Sequence, residues 1–475
     1  MIFKKWAALS LIALAVLGVS CKKLTEVNPA ATENTSTTVN PNANANSWIY
    51  DEMKTYYLWE SQMKTKATTD NKLDPMDYFE SILVKPGELD RFSWIEEDVD
   101  ALTASLQGVN KVLGIRYVPI FADKAESKVA FSVSYTLKGS PADKAGIKRG
   151  DFITQVDGKT MTPDNYSTAL TNETLSLTLG EMVNSEVVST SKTVKVTKAE
   201  VQTDPIHYST VLEYGNKKIG YLVYLQFLTS FDDAIRKVFA DFKAKGVNEL
   251  VLDLRYNGGG YISSSEILSS LIVKNLKPNT LMSRQEWNAA LTTAFKNQYG
   301  ANVFDANWLN EANNLGTLNR VYILTSQGTA SASELVINNL KPFMDVILIG
   351  DHTYGKNVGS ITLSDDKKRW KYGMQPIVLR TVNAIGKSDY GTKEGFIPDF
   401  KVEDKTMPFK SFGDPTETLL KVAIENITGQ PVTLGTSKAR VAATKDFNVL
   451  DKSPRLDTRK FELKDMFVDR FPGQK

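Results

Sequence analysis

One cysteine and two histidines in 475 residues remove several kinds of chemistry at the outset. A lone Cys21 supports no disulfide framework and no thiolate metal cage. His207 and His352 stand far apart, without the spacing that holds zinc. Their scarcity makes a serine–lysine device more plausible than a Ser-His-Asp one. Net charge is also small, at +2. Without Lys4 and Lys5, 55 basic residues face 55 acidic ones, so there is no basic surplus of the kind that holds nucleic acid. The apolar stretch from Trp6 to Val19 has 14 residues, too few to cross a bilayer comfortably. Gly258-Gly259-Gly260 lacks the lysine and hydroxyl of a phosphate loop. What remains is an ordinary globular composition, 42% hydrophobic and 24% charged, on a chain long enough for two or three domains.

The chain opens with Lys4 and Lys5, the short apolar run, and Leu17-Gly18-Val19-Ser20-Cys21. Charge, apolar core and small residues make an export signal over 1–20. The cysteine directly after it resembles a lipoprotein box, so Cys21 is the expected lipidation site and membrane anchor of an exported cell-envelope protein. Residues 21–46, rich in Asn, Thr, Ala and Ser, read as a tether that buries no core. Over 47–105 the aromatics Trp48, Tyr50, Tyr56, Tyr57 and Trp59 recur at helical spacing. Asp74 and Pro75 look like an N-cap and first helical residue. This region is expected to be a small helical domain with the aromatics in its core.

Residues 106–200 change to alternating strands and then run Gly139-Ser140-Pro141-Ala142, Lys148-Arg149-Gly150-Asp151-Phe152-Ile153 and Asp157-Gly158. A short helix, a Gly-Asp turn, a strand and an Asp-Gly turn in that order resemble the PDZ family. The resemblance implies a carboxylate-binding loop at Leu113-Gly114-Ile115 that takes a chain terminus as an added strand. Residues 201–430 alternate strand and helix, which implies a layered α/β sheet. The last stretch, 431–475, is charged and weakly patterned, and reads as a small appendage or as partly disordered.

Within the α/β region, Ser331 lies in the small-residue run Gly328-Thr329-Ala330-Ser331-Ala332-Ser333-Glu334, between an apolar strand and a helix. Such a turn is expected to expose its hydroxyl. Lys356 follows 25 residues on, in a second glycine-marked loop, where it can serve as base. A PDZ segment, then Asp253-Leu254-Arg255-Tyr256-Asn257-Gly258-Gly259, then the serine run, then Gly355-Lys356 resembles peptidase family S41, the carboxyl-terminal processing proteases. The resemblance covers roughly residues 106–425, and 47–105 is similar to the helical N-terminal domain of envelope-associated members. It implies a ClpP/crotonase-like α/β core beside a PDZ domain and a small helical domain, with no cofactor and no metal. It selects Ser331 over Ser326 and Ser333 as nucleophile and makes Lys356 the general base. The Ala332 amide and the Gly259–Gly260 loop would form the oxyanion hole. Ser333 reads as a helix N-terminal residue bonding backbone, His352 as a loop histidine and His207 as structural. One position departs from the family. Ser360 stands where a glutamine often orients the lysine amine, and a hydroxyl reaches less far.

The expected activity is that of an exported serine endopeptidase. It would cleave envelope proteins or peptides near their free C-termini after PDZ recognition. Two other readings stay open: a PDZ peptide-binding lipoprotein on a degenerate protease core, and a crotonase-like binder of an apolar small molecule.

Overall fold

The computed structural model describes residues 41–432, 444–450, 455–456, 465–468 and 471–472. The export signal, Cys21 and most of the tether lie outside these residues.

The first helix, Pro41–Tyr56, starts inside the stretch read as tether. Composition misleads there, because Ala45 and Asn46 are buried. The Asn46 amide donates to the Asn71 and Leu73 carbonyls at 3.0 and 2.8 Å, so a polar residue closes a loop over the helix. Asp74 caps the helix Pro75–Ser81 through the Met76 N–H, as its sequence signals. Trp48, Ile49, Met53, Tyr57, Tyr78 and Phe79 form the aromatic core expected here. That core is not closed on itself. It runs on into Trp287, Leu335, Met374 and Leu379 of the α/β region, and Trp94–Glu96 pairs antiparallel with Gly373–Gln375.

Residues 115–197 make an antiparallel sheet in the order Ile115–Phe121, Val129–Thr136, Phe152–Val156, Thr174–Val183, Glu186–Thr197. Ser140 caps the short helix Pro141–Lys144. At Gly114 (φ +87°) a Cβ would stand 2.3 Å from that of Ser140, so only glycine lets the loop close on this helix.

The α/β core holds a six-stranded sheet in the order Ile206–Tyr214, Lys217–Tyr224, Glu249–Asp253, Arg320–Thr325, Asp345–Gly350, Phe400–Lys401, parallel after its first hairpin. Alternate residues face opposite layers, as the strand repeat requires. Leu222, Leu250, Leu252, Ile323 and Leu348 pack on the helices Asp232–Ala244, Ile262–Ile272 and Ala332–Leu340. Tyr221, Val223, Val251, Tyr322 and Ile349 pack on Thr418–Thr428. Each large apolar side chain buried this way contributes about 1.5–3 kcal/mol. A second sheet has the order Gly259–Tyr261, Asp465–Phe467, Val358–Ser360, Ile377–Asn383, Leu281–Trp287, Asp305–Asn307. Part of the C-terminal stretch is therefore built into the core sheet. Among the described residues no helix is long and apolar enough to cross a membrane.

Candidate active site

The strand Arg320–Thr325 leads into a turn whose hydroxyls are nearly all engaged in holding it. Ser326 Oγ donates to the Arg255 carbonyl and accepts from Gly328 N–H. Thr329 Oγ1 donates to the Leu254 carbonyl at 2.8 Å. Ser333 Oγ donates to the Asn257 carbonyl at 3.0 Å, the backbone-bonding role expected of it. Ser331 differs. Its Oγ has no hydrogen-bond partner among the described residues, although it is fully buried. Its backbone sits at φ +64°, ψ −114°, a conformation L-residues adopt only under constraint. Geometry alone thus separates Ser331 from Ser326 and Ser333. The expectation of an exposed hydroxyl is corrected: the turn is enclosed, because the helix it starts is buried from Ala332 to Leu340.

Glu334, one turn into that helix, joins the serine turn to the lysine loop. Its Oε2 accepts from Ser331 N–H and from Lys356 N–H, both at 2.8 Å. Its Oε1 accepts from Gly355 N–H at 2.7 Å and from Thr353 Oγ1 at 2.5 Å. One carboxylate oxygen therefore touches the backbone of both candidate catalytic residues. Burial pushes this carboxyl up, to about 7, against the pull of its four donors. Sequence reasoning passed over Glu334, yet Ser-x-x-Glu at a helix start is a capping-box signal.

Lys356 is fully buried, with Nζ 5.3 Å from the centre of the Phe92 ring. Arg91, beside Phe92, donates to the Gly355 carbonyl. The helical domain therefore walls the lysine loop, a role its aromatics did not announce. Gly355 (φ +83°) must be glycine, since a Cβ would stand 1.6 Å from the Thr392 carbonyl oxygen. Ser360 is buried on the strand Val358–Ser360 that follows the loop.

The glycine loop is tied to the serine turn by Asn257. Its Nδ2 donates to the Tyr224 carbonyl at 2.9 Å. Its carbonyl accepts from Ala330 N–H at 3.1 Å as well as from Ser333. Its Oδ1 accepts from Gly259 N–H at 2.9 Å, so the Gly259 amide is engaged inside the turn. Gly260 is placed differently. Phe227 bonds the Gly259 carbonyl and the Tyr261 N–H, both at 2.9 Å. In extended chain the N–H and C=O of Gly260 then face the opposite side. Of the two glycines, Gly260 keeps an amide directed away from the turn, and Ala332 supplies another at the buried start of the serine helix.

Arg149, in the β domain, reaches the other end of the glycine turn. It donates to the carbonyls of Lys410 and Ser134 at 2.6 and 2.7 Å and to Tyr256 Oη at 2.9 Å. It also pairs with Glu417, which Arg255 contacts at 2.7 Å. Burial alone would raise the Glu417 carboxyl, but Arg255 and Arg149 hold it down at about 2. Leu113 and Ile115 are buried. The carbonyls of Leu113 and Gly114 accept from Ala142 and Leu137 N–H, at 3.0 and 2.8 Å.

The two histidines stay away from this chemistry. Burial, with Lys138 and Arg149 nearby, pushes His207 down to about 4, and its neutral ring packs 5.1 Å from Tyr135 and 5.3 Å from Phe412. A His352 ring nitrogen pairs with the Thr353 carbonyl at 2.9 Å.

Residues 218–402 match the model of peptidase family S41, residues 44–94 that of the peptidase S41 N-terminal domain, and residues 132–179 a PDZ domain. The matched regions are the peptidase domain and the N-terminal domain of peptidase family S41. It is 25% identical over 284 residues to a chloroplastic C-terminal processing peptidase of Tetradesmus obliquus, covering 57% of this chain and 56% of that one. It is 28% identical over 251 residues to a protein described as a CtpA-like serine protease of Staphylococcus aureus, covering 52% and 46%. The chain thus spans about half the length of these relatives. A crystal structure assigned to an S41 protease of Bacteroides fragilis is 26% identical, with a TM-score of 0.68 over 86% of this chain and 99% of that one. The S41 match contains Gly259, Gly260, Ser331, Lys356 and Ser360. The PDZ match begins after Leu113-Gly114-Ile115.

Proposed function

We propose that this chain is a serine endopeptidase of the cell envelope that cleaves proteins or peptides near their C-termini with a Ser331–Lys356 dyad. The observation that carries the reading is the single Glu334 oxygen that binds the backbone of both residues, beside a buried serine hydroxyl with no hydrogen-bond partner among the described residues. An alcohol attacks an amide only when a base removes its proton. A lysine is a base only as the neutral amine, and enclosure of the kind found around Lys356 works in that direction. Ser331 Oγ attacks the scissile carbonyl carbon while Lys356 takes the hydroxyl proton. The oxygen of the tetrahedral intermediate lies against the Gly260 and Ala332 amides. Lysine returns the proton to the leaving amine, and water, deprotonated by the same lysine, releases the acyl group. No step calls for a cofactor. The edge of the β domain at Ile115–Phe121, behind the Leu113-Gly114-Ile115 loop, would hold the substrate's extended terminus. The leader and Cys21 support export and lipid anchoring.

The test is direct. Purified chain should hydrolyse a peptide with a free apolar C-terminus. Ser331→Ala and Lys356→Ala should each lose turnover by a factor on the order of 10⁴ or more, while the Ser331→Ala protein still binds the peptide. Hydrolysis by Ser331→Ala removes the assignment. Ser360, in place of a glutamine, favours one rival, a peptide receptor without catalysis. Covalent labelling of Ser331 by a fluorophosphonate decides against it.

A further inference from the structure

Both edges that would read a substrate are already occupied by the chain itself. Along the β-domain edge, Phe121 N–H donates to the Asn448 carbonyl and Leu450 N–H to the Pro119 carbonyl, each at 3.0 Å. Arg455–Leu456 continues antiparallel beside Tyr117 and Arg116. This is strand addition at the strand that follows the Leu113-Gly114-Ile115 loop. Leu450 packs on the core of that domain with Tyr166 and Ala169.

Further on, Asp465–Phe467 lies between the two strands that carry the candidate chemistry. It runs parallel to Gly259–Tyr261, with Gly260 opposite Met466, and parallel to Val358–Ser360, with Ser360 opposite Phe467. It occupies the side to which the Gly260 amide is directed. Val468 N–H donates to the Ser360 carbonyl at 3.0 Å. Phe467 is buried against Trp94, Leu102, Leu106 and Tyr261, with its ring 5.9 Å from that of Tyr261. Trp94 and Leu102 come from the helical N-terminal region and Leu106 ends the helix Val99–Leu106 that leaves it, so these side chains enclose the Phe467 ring.

We infer that the C-terminal segment is a tethered, substrate-like ligand that keeps both edges filled, and that a substrate must displace it. The inference rests on the peptidase reading for what the cleft does, and on the strand pairing alone for what fills it. It also names the substrate class: an extended chain with a large apolar side chain at the place of Phe467. A tethered strand competes at an effective concentration on the order of millimolar, so a free peptide meets a strong intramolecular rival.

The probe is a fluorescent synthetic peptide with the sequence of residues 463–472. It is titrated into the full chain with Ser331→Ala, alone and combined with Phe467→Asp or Phe467→Leu. Phe467→Asp places a charge in the pocket and should release the segment, so the peptide should bind at least about tenfold more tightly than to the parent. Phe467→Leu should bind like the parent, and a peptide carrying Asp at the Phe467 position should not bind. With Ser331 restored, Phe467→Asp should cleave a tailed peptide faster, through a lower KM. Equal binding by folded parent and Phe467→Asp overturns the inference. If Phe467→Asp does not fold, hydrogen exchange on the parent replaces it. Excess peptide should deprotect the amides of residues 465–468, and unchanged protection with peptide bound overturns the inference. Tighter binding without hydrolysis by any Ser331 protein leaves the inference standing and removes the peptidase reading. Hydrolysis that Phe467→Asp leaves unchanged does the reverse.

Discussion

Two turns leave neighbouring parallel strands of the same sheet, and each solves the same backbone problem differently. After Glu249–Asp253 the chain reaches Gly260 at φ +136°; after Arg320–Thr325 it reaches Ser331 at φ +64°. The first turn uses glycine, which takes positive φ at little cost and leaves an amide directed outward. The second holds the strain at a residue with a side chain. A strained non-glycine residue costs about 1–3 kcal/mol and persists only where its surroundings fix it. Glu334 and Asn257 are those surroundings. The glycine turn leaves a backbone amide toward the neighbouring strand, and the serine turn holds a buried side-chain hydroxyl, the two groups that the proposed reaction would use.

Replacing Ser331 by glycine should give the largest effect. Turnover should fall by a factor on the order of 10⁴–10⁶, while the protein gains about 1 kcal/mol in a thermal melt as the strain is released. Lower stability would mean that the turn is not strained, and the contrast with Gly260 would fail. Gly260→Ala makes the opposite exchange. Its Cβ would stand 2.1 Å from the Phe227 carbonyl oxygen, which belongs to backbone and cannot swing aside. A loss of about 4 kcal/mol or more is expected by denaturant titration.

Glu334→Gln keeps the shape but turns one acceptor toward N–H donors, for a cost on the order of 3 kcal/mol. It also carries a pH signature. The Glu334 carboxyl is raised from 4.5 to about 7 by burial. Its contribution to stability is therefore fully present below 4.5 and lost as pH rises through about 7. The fall in melting temperature of the parent across that window should flatten in Glu334→Gln. An unchanged slope would place the titration elsewhere.

The smallest effect concerns only the glycine turn. Arg149→Lys keeps the charge but loses the fork that reaches Ser134, Lys410 and Tyr256, for about 2 kcal/mol by thermal melt. A loss above that of Glu334→Gln would reverse the order of the two turns.

The turns that hold Ser331, Gly259–Gly260 and Lys356 were legible as turns because each depends on a short local pattern: small residues between a strand and a helix, or glycines where a backbone approaches closely. The roles given to these residues came from the family resemblance. The same holds for Asp74 capping its helix and for the alternation of the core strands. Other features were hidden for physical reasons. Pro41 to Asn46 looks like a tether, because the carbonyls that satisfy Asn46 come from a loop at residues 71–73. Arg91 and Phe92 gave no sign of reaching Gly355 and Lys356, which are distant in the chain. The C-terminal stretch reads as a weakly patterned appendage, yet Asp465–Phe467 joins the core sheet, and three residues are too few to show the alternation of a strand. Glu334 had a signal in its capping-box spacing, but nothing local tied it to the lysine loop.

The proposed dyad requires that the serine turn and the lysine loop act as one catalytic unit. Fluorophosphonate labelling followed by peptide mass mapping tests it most directly. One adduct is expected, on Ser331, lost in both Ser331→Ala and Lys356→Ala. Full labelling of Ser331 in Lys356→Ala, or an adduct on another serine, would contradict it.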